Sequence, residues 1–152
     1  HDPPIREAEL SGMRMNLRDL FEFRLMFEPR VAFLAAKRGT DREIRKILEC
    51  GEKEEALIAA GEDRTEAEQA FHRSVAVAAH NEFTGRLIPI IYKAIHQGVR
   101  LSENNEKVVQ ETLADHRMLM DFIAQRNPVG AETAMRLHIV HAMASFGVEI
   151  EE

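Results

Sequence analysis

The sequence predicts an all-α protein, a single antiparallel bundle of about six to seven helices. Three observations carry this. Strand signals are nearly absent: no apolar–polar alternation of period two is sustained, and β-branched and aromatic residues do not cluster. Helix formers dominate throughout, and Gly, Pro, Asn and Ser punctuate the chain into helix-length segments. The connections between these segments are short, which favours antiparallel neighbours.

The first helix runs from Asn16 to about Ala36, with Pro29 forcing a kink or a break and "KRGT" ending it. Thr40 caps the second, Asp41 to about Ala60, because Glu43 stands three residues on as the reciprocal partner of a capping box, and Gly61 stops it. Thr65 is the expected cap of the third, which extends to about His80. After Asn81 a fourth covers roughly Glu82 to Leu101, bent at Pro89. "SENNE" opens the fifth, about Asn105 to Arg126, and "NPVG" turns the chain into the sixth, about Val129 to Phe146. Residues 1–15 read as a linker remnant or extended segment, 16–147 as one domain and 148–152 as an acidic tail. The opening "HDPP", in place of Met, reads as the start of a fragment.

Bulk properties exclude several function classes. The formal net charge is -6 and the basic residues are scattered, so the footprint that phosphate backbones require is missing and direct nucleic-acid binding is not expected. Cys50 has no partner for an internal disulfide, which fits a reducing, cytoplasmic setting. The longest apolar runs, such as "LIPIIY", fall far short of the roughly 18 residues a membrane span needs. No signal peptide is visible.

The chemistry-bearing residues interrupt apolar stripes. On the third helix Glu68 and His72 stand four apart, one above the other, beside Phe71, Val75 and Ala78. On the fifth, His116 occupies the slot between Val109, Leu113, Met120 and Ile123; on the sixth, His138 sits among Ala131, Met135, Ala142 and Ser145. His116 lies 11 residues before Asn127 and His138 11 after it. In an antiparallel hairpin both therefore stand about 16 Å from the turn and can face each other. Each histidine alone is more often a hydrogen-bonded core residue, and Glu68 alone a rim carboxylate paired with Arg64 or His72. Together, three imidazoles and a carboxylate on inward faces leave several buried groups unmatched, and one divalent cation would satisfy all four. Nitrogen-rich ligation suits zinc or nickel first, then iron or manganese, rather than calcium or magnesium.

Arg24 sits among Phe23, Leu25, Met26 and Phe27 with Glu28 four residues on. Either it forms a surface pair with Glu28, or its guanidinium faces the cavity and offers a planar fork to a small carboxylate beside the cation. His141, one turn beyond His138, suits a supporting role, while His80 and His96 lie near helix ends and His1 is not part of the pattern. Met118, Met120, Met135 and Met143 read as core filler. The run "DREIRKILECGEKEEALIAAGEDR" reads as a solvated helix face without chemistry.

Three stretches, "LFEFRLMFEPRVAFLAAKRGT", "EAEQAFHRSVAVAAHN" and "DHRMLMDFIAQRNPVGAETAMRLHI", resemble in order the FCD domain, the effector-binding domain of FadR-type GntR transcription regulators, over about Leu17 to Phe146. The resemblance implies a helical bundle whose central cavity holds a divalent metal and a small carboxylate effector. Carried over by position, Glu68, His72, His116 and His138 would ligate the metal, and Arg24 and Asn81 the effector. It also implies a homodimer and a DNA contact made only through an N-terminal winged helix, for which nothing before Asn16 has the length. Two positions depart from the family pattern: Glu68 stands where Asp is usual, lengthening the reach to a metal, and His80 precedes Asn81 where Gly is frequent. Two other readings of the residues remain beside this one. A metal-dependent enzyme would need a second ligand motif or an assignable base, and a purely structural metal would need no effector.

Overall fold

The computed structural model describes residues 17–98, 106–145 and 147–148. The described residues form six helices: α1 Leu17–Arg38, α2 Asp41–Ala59, α3 Thr65–Ala78, α4 Glu82–Gly98, α5 Glu106–Ala124 and α6 Pro128–Ser145. No strand occurs among them, and none of these helices is long and apolar enough to cross a membrane. Residues 1–16, the expected end of the fourth helix at Leu101 and start of the fifth at Asn105, the side chain of His96, and all of the acidic tail but Val148 lie outside the described residues.

Several helix ends follow from local chemistry. Thr40 caps α2 with a full capping box: its hydroxyl accepts from the Glu43 amide at 3.1 Å, while Glu43 accepts from the Thr40 amide at 2.8 Å. At the other end Gly61 takes φ 69°, and the Gly61 and Glu62 amides donate back to Ile58 and Leu57, satisfying two terminal carbonyls. α5 ends in the same geometry, but with Arg126 in the left-handed position at φ 57°. Its guanidinium donates to the Gly39 carbonyl and to Asp41 Oδ1, tying the α5–α6 turn to the α1–α2 turn. Asn127 then caps α6 by accepting from the Gly130 amide at 2.9 Å, with Pro128 in the first helical position, where its missing N–H costs nothing.

Two expectations about α1 and α3 need correction. Of the kink or break expected at Pro29, the break does not occur: α1 is one continuous helix through the buried Pro29, since the surrounding packing holds the turn that the missing hydrogen bond weakens. Thr65 does not cap α3: the cap position is Arg64, and Asp63 Oδ1 instead accepts from both the amide and the hydroxyl of Thr65.

The bundle closes because α1 packs along α6, α5 along α6, α2 along α3 and α3 along α4, while α1 also meets α3 and α2 meets α5. Ala32 and Ala35 on α1 and Ala131 and Ala134 on α6 are fully buried, and such small side chains let packed helices approach closely. Larger residues fill the remaining centre: Phe71 and Val75 from α3, Leu119, Met120 and Ile123 from α5, and Met135 and Ile139 from α6. Burying each of these larger side chains is worth about 1.5–3 kcal/mol. The four methionines read as filler behave so: Met120, Met135 and Met143 are buried and Met118 packs against the cluster. On α5 the buried face is Thr112, Asp115, His116, Leu119, Met120 and Ile123, rotated slightly from the stripe through Val109 and Leu113.

A three-histidine cluster beside a small cavity

The packing of α3, α5 and α6 brings His72, His116 and His138 together. One ring nitrogen of each lies within 4.8 Å of the others, and all three residues are buried. The His116 and His138 rings are 4.8 Å apart across the α5–α6 hairpin, in an edge arrangement, and His72 stacks 5.7 Å from His138. Phe71, next to His72 on α3, stacks 4.8 Å from His116 and fills the apolar side of the cluster.

An oxygen stands near one nitrogen of each ring. The Tyr92 hydroxyl, from α4, is 2.9 Å from His72 Nδ1. Glu54 Oε1, from α2, is 3.3 Å from His116 Nδ1, and Asp115 Oδ2 is 3.6 Å from His138 Nδ1. At His72 this is the outer arrangement that orients an imidazole around a metal, a hydrogen-bonding oxygen on one nitrogen; at His116 and His138 the carboxylates stand at ion-pair distance, and Glu54 Oε1 and His138 Nδ1 make no hydrogen bond among the described residues. His116 Nε2 is buried and has no hydrogen-bond partner among the described residues, so the nitrogen opposite Glu54, when unprotonated, is an orphaned acceptor of the kind that a cation would satisfy.

The surrounding charges explain how the groups titrate. Burial works against charge on Glu54 and His116 alike, but their mutual attraction, reinforced at Glu54 by Arg64, holds the Glu54 carboxyl below its usual range and lifts His116 above the usual imidazole range. Burial instead dominates at His138 and favours its neutral form. Asp115 is held low despite its burial by His138 and by His141, whose Nδ1 is 2.9 Å from Asp115 Oδ2. Burial also pushes the Tyr92 hydroxyl well above its usual value, so it remains a hydrogen-bond donor.

Beside the cluster lies a cavity of about 50 Å³, walled by Arg24, Arg64, Glu68, Tyr92, Asp115 and His138 among others. Arg24 is not a surface residue. It is 4 % exposed, its Nε donates to Glu28 at 2.5 Å and its Nη2 to the Tyr92 hydroxyl at 2.6 Å. The Glu28 pair and the cavity position are therefore both realised, in a buried network that continues through Tyr92, which also donates to Glu28 Oε1 at 2.6 Å. Burial opposes the Arg24 charge, and Glu28 more than restores it.

The residues singled out in the sequence divide accordingly. Arg24, His72, His116 and His138 come together. Glu68 lies on the cavity wall, half-buried, where its charge reaches Arg24, His116 and His138, but it stands outside the tight group of three nitrogens. Asn81 is exposed at the start of α4, where its Oδ1 accepts from the Thr84 amide at 3.0 Å, so its side chain serves the helix end and is not brought to the cavity. His80 is exposed, with Nε2 2.6 Å from Glu43, and takes φ 54°. That left-handed backbone is the physical reason a glycine suits its position.

Sequence reasoning missed Glu54, Tyr92 and Asp115, and read Glu28 only as a surface partner. The charged run through α2 is not wholly solvated: Glu54 is completely buried. The signal was present, since Ile44, Ile47, Gly51 and Glu54 share one buried stripe of α2 as His116 shares one of α5. Phe21, Arg24 and Glu28 do the same on α1.

Comparison with known proteins supports the fold and the family. The family model described as "FCD domain" matches residues 19–141. The HTH-type transcriptional regulator LutR of Bacillus subtilis (strain 168) is 26% identical over 139 residues, covering 88% of this chain and 64% of that protein. A solved structure of Streptococcus agalactiae GntR superposes with a TM-score of 0.77 at 29% identity, covering 91% of this chain and 60% of that one. The chain thus spans a little under two thirds of the length of these relatives. With the helical bundle, the buried histidines and this match over most of its length, the chain belongs to the FCD domain family, the regulatory domain of GntR-type transcription regulators.

Proposed function

We propose that this domain senses a small carboxylate at a divalent transition metal held by His72, His116 and His138, with Glu68 completing the site directly or through a water. The observation that carries the reading is the cluster itself. Three buried imidazoles from three helices converge within 4.8 Å, each backed by an oxygen of Tyr92, Glu54 or Asp115, beside a cavity that Arg24 borders. Nitrogen donors of this kind favour zinc or nickel, then iron or manganese. A bound dication would supply a Lewis-acid anchor for an effector oxygen.

The chain's own residues do the rest. Tyr92, Glu54 and Asp115 fix the ring orientations, Arg24 offers its remaining guanidinium donors to a carboxylate, and Phe71 keeps water from the apolar side. No covalent step is required, and the domain acts as a binding module rather than an enzyme. An effector regulates only through unequal affinity for two states of the bundle. In the full regulator those states would differ in how a homodimer spaces its N-terminal DNA-reading domains, in the cytoplasm and away from membranes.

Metal analysis combined with a thermal-shift screen tests the reading. Zinc or nickel should bind at one equivalent per chain, and small carboxylates should raise the melting temperature only of metal-loaded protein. His116→Ala should abolish metal retention, and undiminished metal in that variant would remove the cluster as the site. Arg24→Ala should keep the metal and weaken the carboxylate; unchanged affinity would exclude Arg24. A closed structural metal without an effector would leave every carboxylate without effect.

A further inference from the structure

The cavity beside the histidines is walled by a second buried guanidinium, that of Arg64. Arg64 stands at the cap position of α3, with φ -107°, and its carbonyl accepts from the Glu68 amide at 2.8 Å. Its backbone is therefore held by the helix start while its side chain crosses to α2. There Nη1 donates to Glu54 Oε2 at 3.1 Å. The residue is only 8 % exposed, yet that is the one hydrogen bond its side chain makes among the described residues. A guanidinium carries five N–H donors, and Arg24 across the cavity has two committed, to Glu28 and Tyr92. Arg64 thus keeps the larger unused donor capacity of the two on the cavity wall, open to water or an anion.

The size and charge of the cavity limit that anion. At about 50 Å³ it has room for roughly three to five water-sized groups, which suits a small acid of few heavy atoms. Arg24 and Arg64 are already balanced by Glu28 and Glu54, while Glu111 adds further negative charge to the wall. Even with a dication present, a single carboxylate meets far less repulsion there than a di- or tricarboxylate.

Glu54 has two faces. Oε2 accepts from Arg64, and Oε1, which makes no hydrogen bond among the described residues, lies 3.3 Å from His116 Nδ1, so one completely buried carboxylate stands between the cavity wall and a residue of the histidine cluster. We infer that Arg64 is a second carboxylate-recognition residue of this cavity, selective for small monocarboxylates, and that through Glu54 it makes carboxylate and metal binding mutually reinforcing. The inference rests on the proposed metal-and-carboxylate reading. A carboxylate seated on Arg64 shares the guanidinium with Glu54, which then leans more on His116 Nδ1 and strengthens that ring as a donor. By linkage the metal must raise carboxylate affinity by the same factor.

The test uses zinc and the acids acetate, glycolate and malonate on the whole chain. Carboxylate affinity is measured by calorimetry on zinc-loaded protein, and zinc affinity by chelator competition with and without saturating glycolate. Wild type should bind glycolate more tightly than malonate and bind zinc more tightly in its presence. Arg64→Gln should keep one zinc per chain, lose on the order of tenfold or more in glycolate affinity and lose the coupling. Arg64→Lys, which keeps the charge without the fork, should recover only part of the affinity. Because Arg64→Gln leaves Glu54 with only His116, the double variant Glu54→Gln/Arg64→Gln serves as its folded control and should show at least the same loss of glycolate affinity. Glycolate affinity within twofold of wild type in all three variants would overturn the role of Arg64, and tighter binding of malonate would overturn the monocarboxylate preference. Failure of wild type to bind any of the three acids would instead sink the sensing reading itself.

Discussion

Replacing Glu54 by Ala tests how the centre of the bundle is held together. The carboxylate is completely buried, 3.1 Å from Arg64 and 3.3 Å from His116, and Arg64 itself is nearly buried. Removing one partner of a buried ion pair leaves the other charge uncompensated, which costs about 3–5 kcal/mol. For a chain of this length each kcal/mol lowers the melting temperature by roughly 2–4 °C, so metal-free Glu54→Ala should melt roughly 6–20 °C below wild type. Losing the oxygen behind His116 should also weaken zinc by about 10–100-fold. The pH dependence has a defined sign. Glu54 titrates below the usual carboxylate value of 4.5, so its contribution is present above that pH and lost as pH falls through its folded value. His116 titrates above the usual 6.5, so its contribution is complete below that pH and lost as pH rises through its folded value. The stability gap between metal-free wild type and the variant, followed by circular dichroism in chelator, should therefore be widest between 4.5 and 6.5 and narrow on both sides. A gap below 1 kcal/mol across that range, with zinc affinity unchanged, would refute the reasoning.

Three further substitutions probe packing and backbone. Phe71→Ala removes a completely buried ring stacked on His116; about 3–5 kcal/mol of stability should be lost in urea unfolding, with weaker zinc retention, and normal zinc affinity would show that the stack does not position the histidine. Gly39→Ala would set a Cβ 2.7 Å from the Ala35 carbonyl oxygen, a backbone atom that cannot swing away, so a loss of about 1–3 kcal/mol is expected and a neutral result would mean that the α1–α2 turn relaxes easily. His80→Gly relieves a left-handed backbone at the expense of an exposed contact with Glu43; the urea midpoint should hold or rise slightly, and a loss above about 1 kcal/mol would show that the contact outweighs the strain.

Much of the architecture is legible in the sequence because helix signals are local. The capping box at Thr40 and Glu43, the stop at Gly61 and the turn at Asn127 and Pro128 act within a few residues of themselves, and the structure uses each as its chemistry dictates. The cap of α3 was misplaced by one residue because Asp63, two before Thr65, offers the better acceptor to its amide and hydroxyl. Of the kink or break expected at Pro29, the break does not occur for a different reason: packing of a buried turn outweighs one missing hydrogen bond.

At the site, helical spacing exposes the inward direction of His72, His116 and His138, and counting from Asn127 puts the last two at matching heights, because 3.6 residues per turn is a property of each helix alone. Spacing within one helix cannot say what stands across from it. That α2 turns Glu54 toward His116, that α4 brings Tyr92 between His72 and Arg24, and that Asn81 ends at an exposed helix start all depend on which helices pack together and at what rotation. Those choices come from the side-chain volumes of the whole core, and they turn a row of inward-facing histidines into a cluster with an oxygen of Tyr92, Glu54 or Asp115 near each ring.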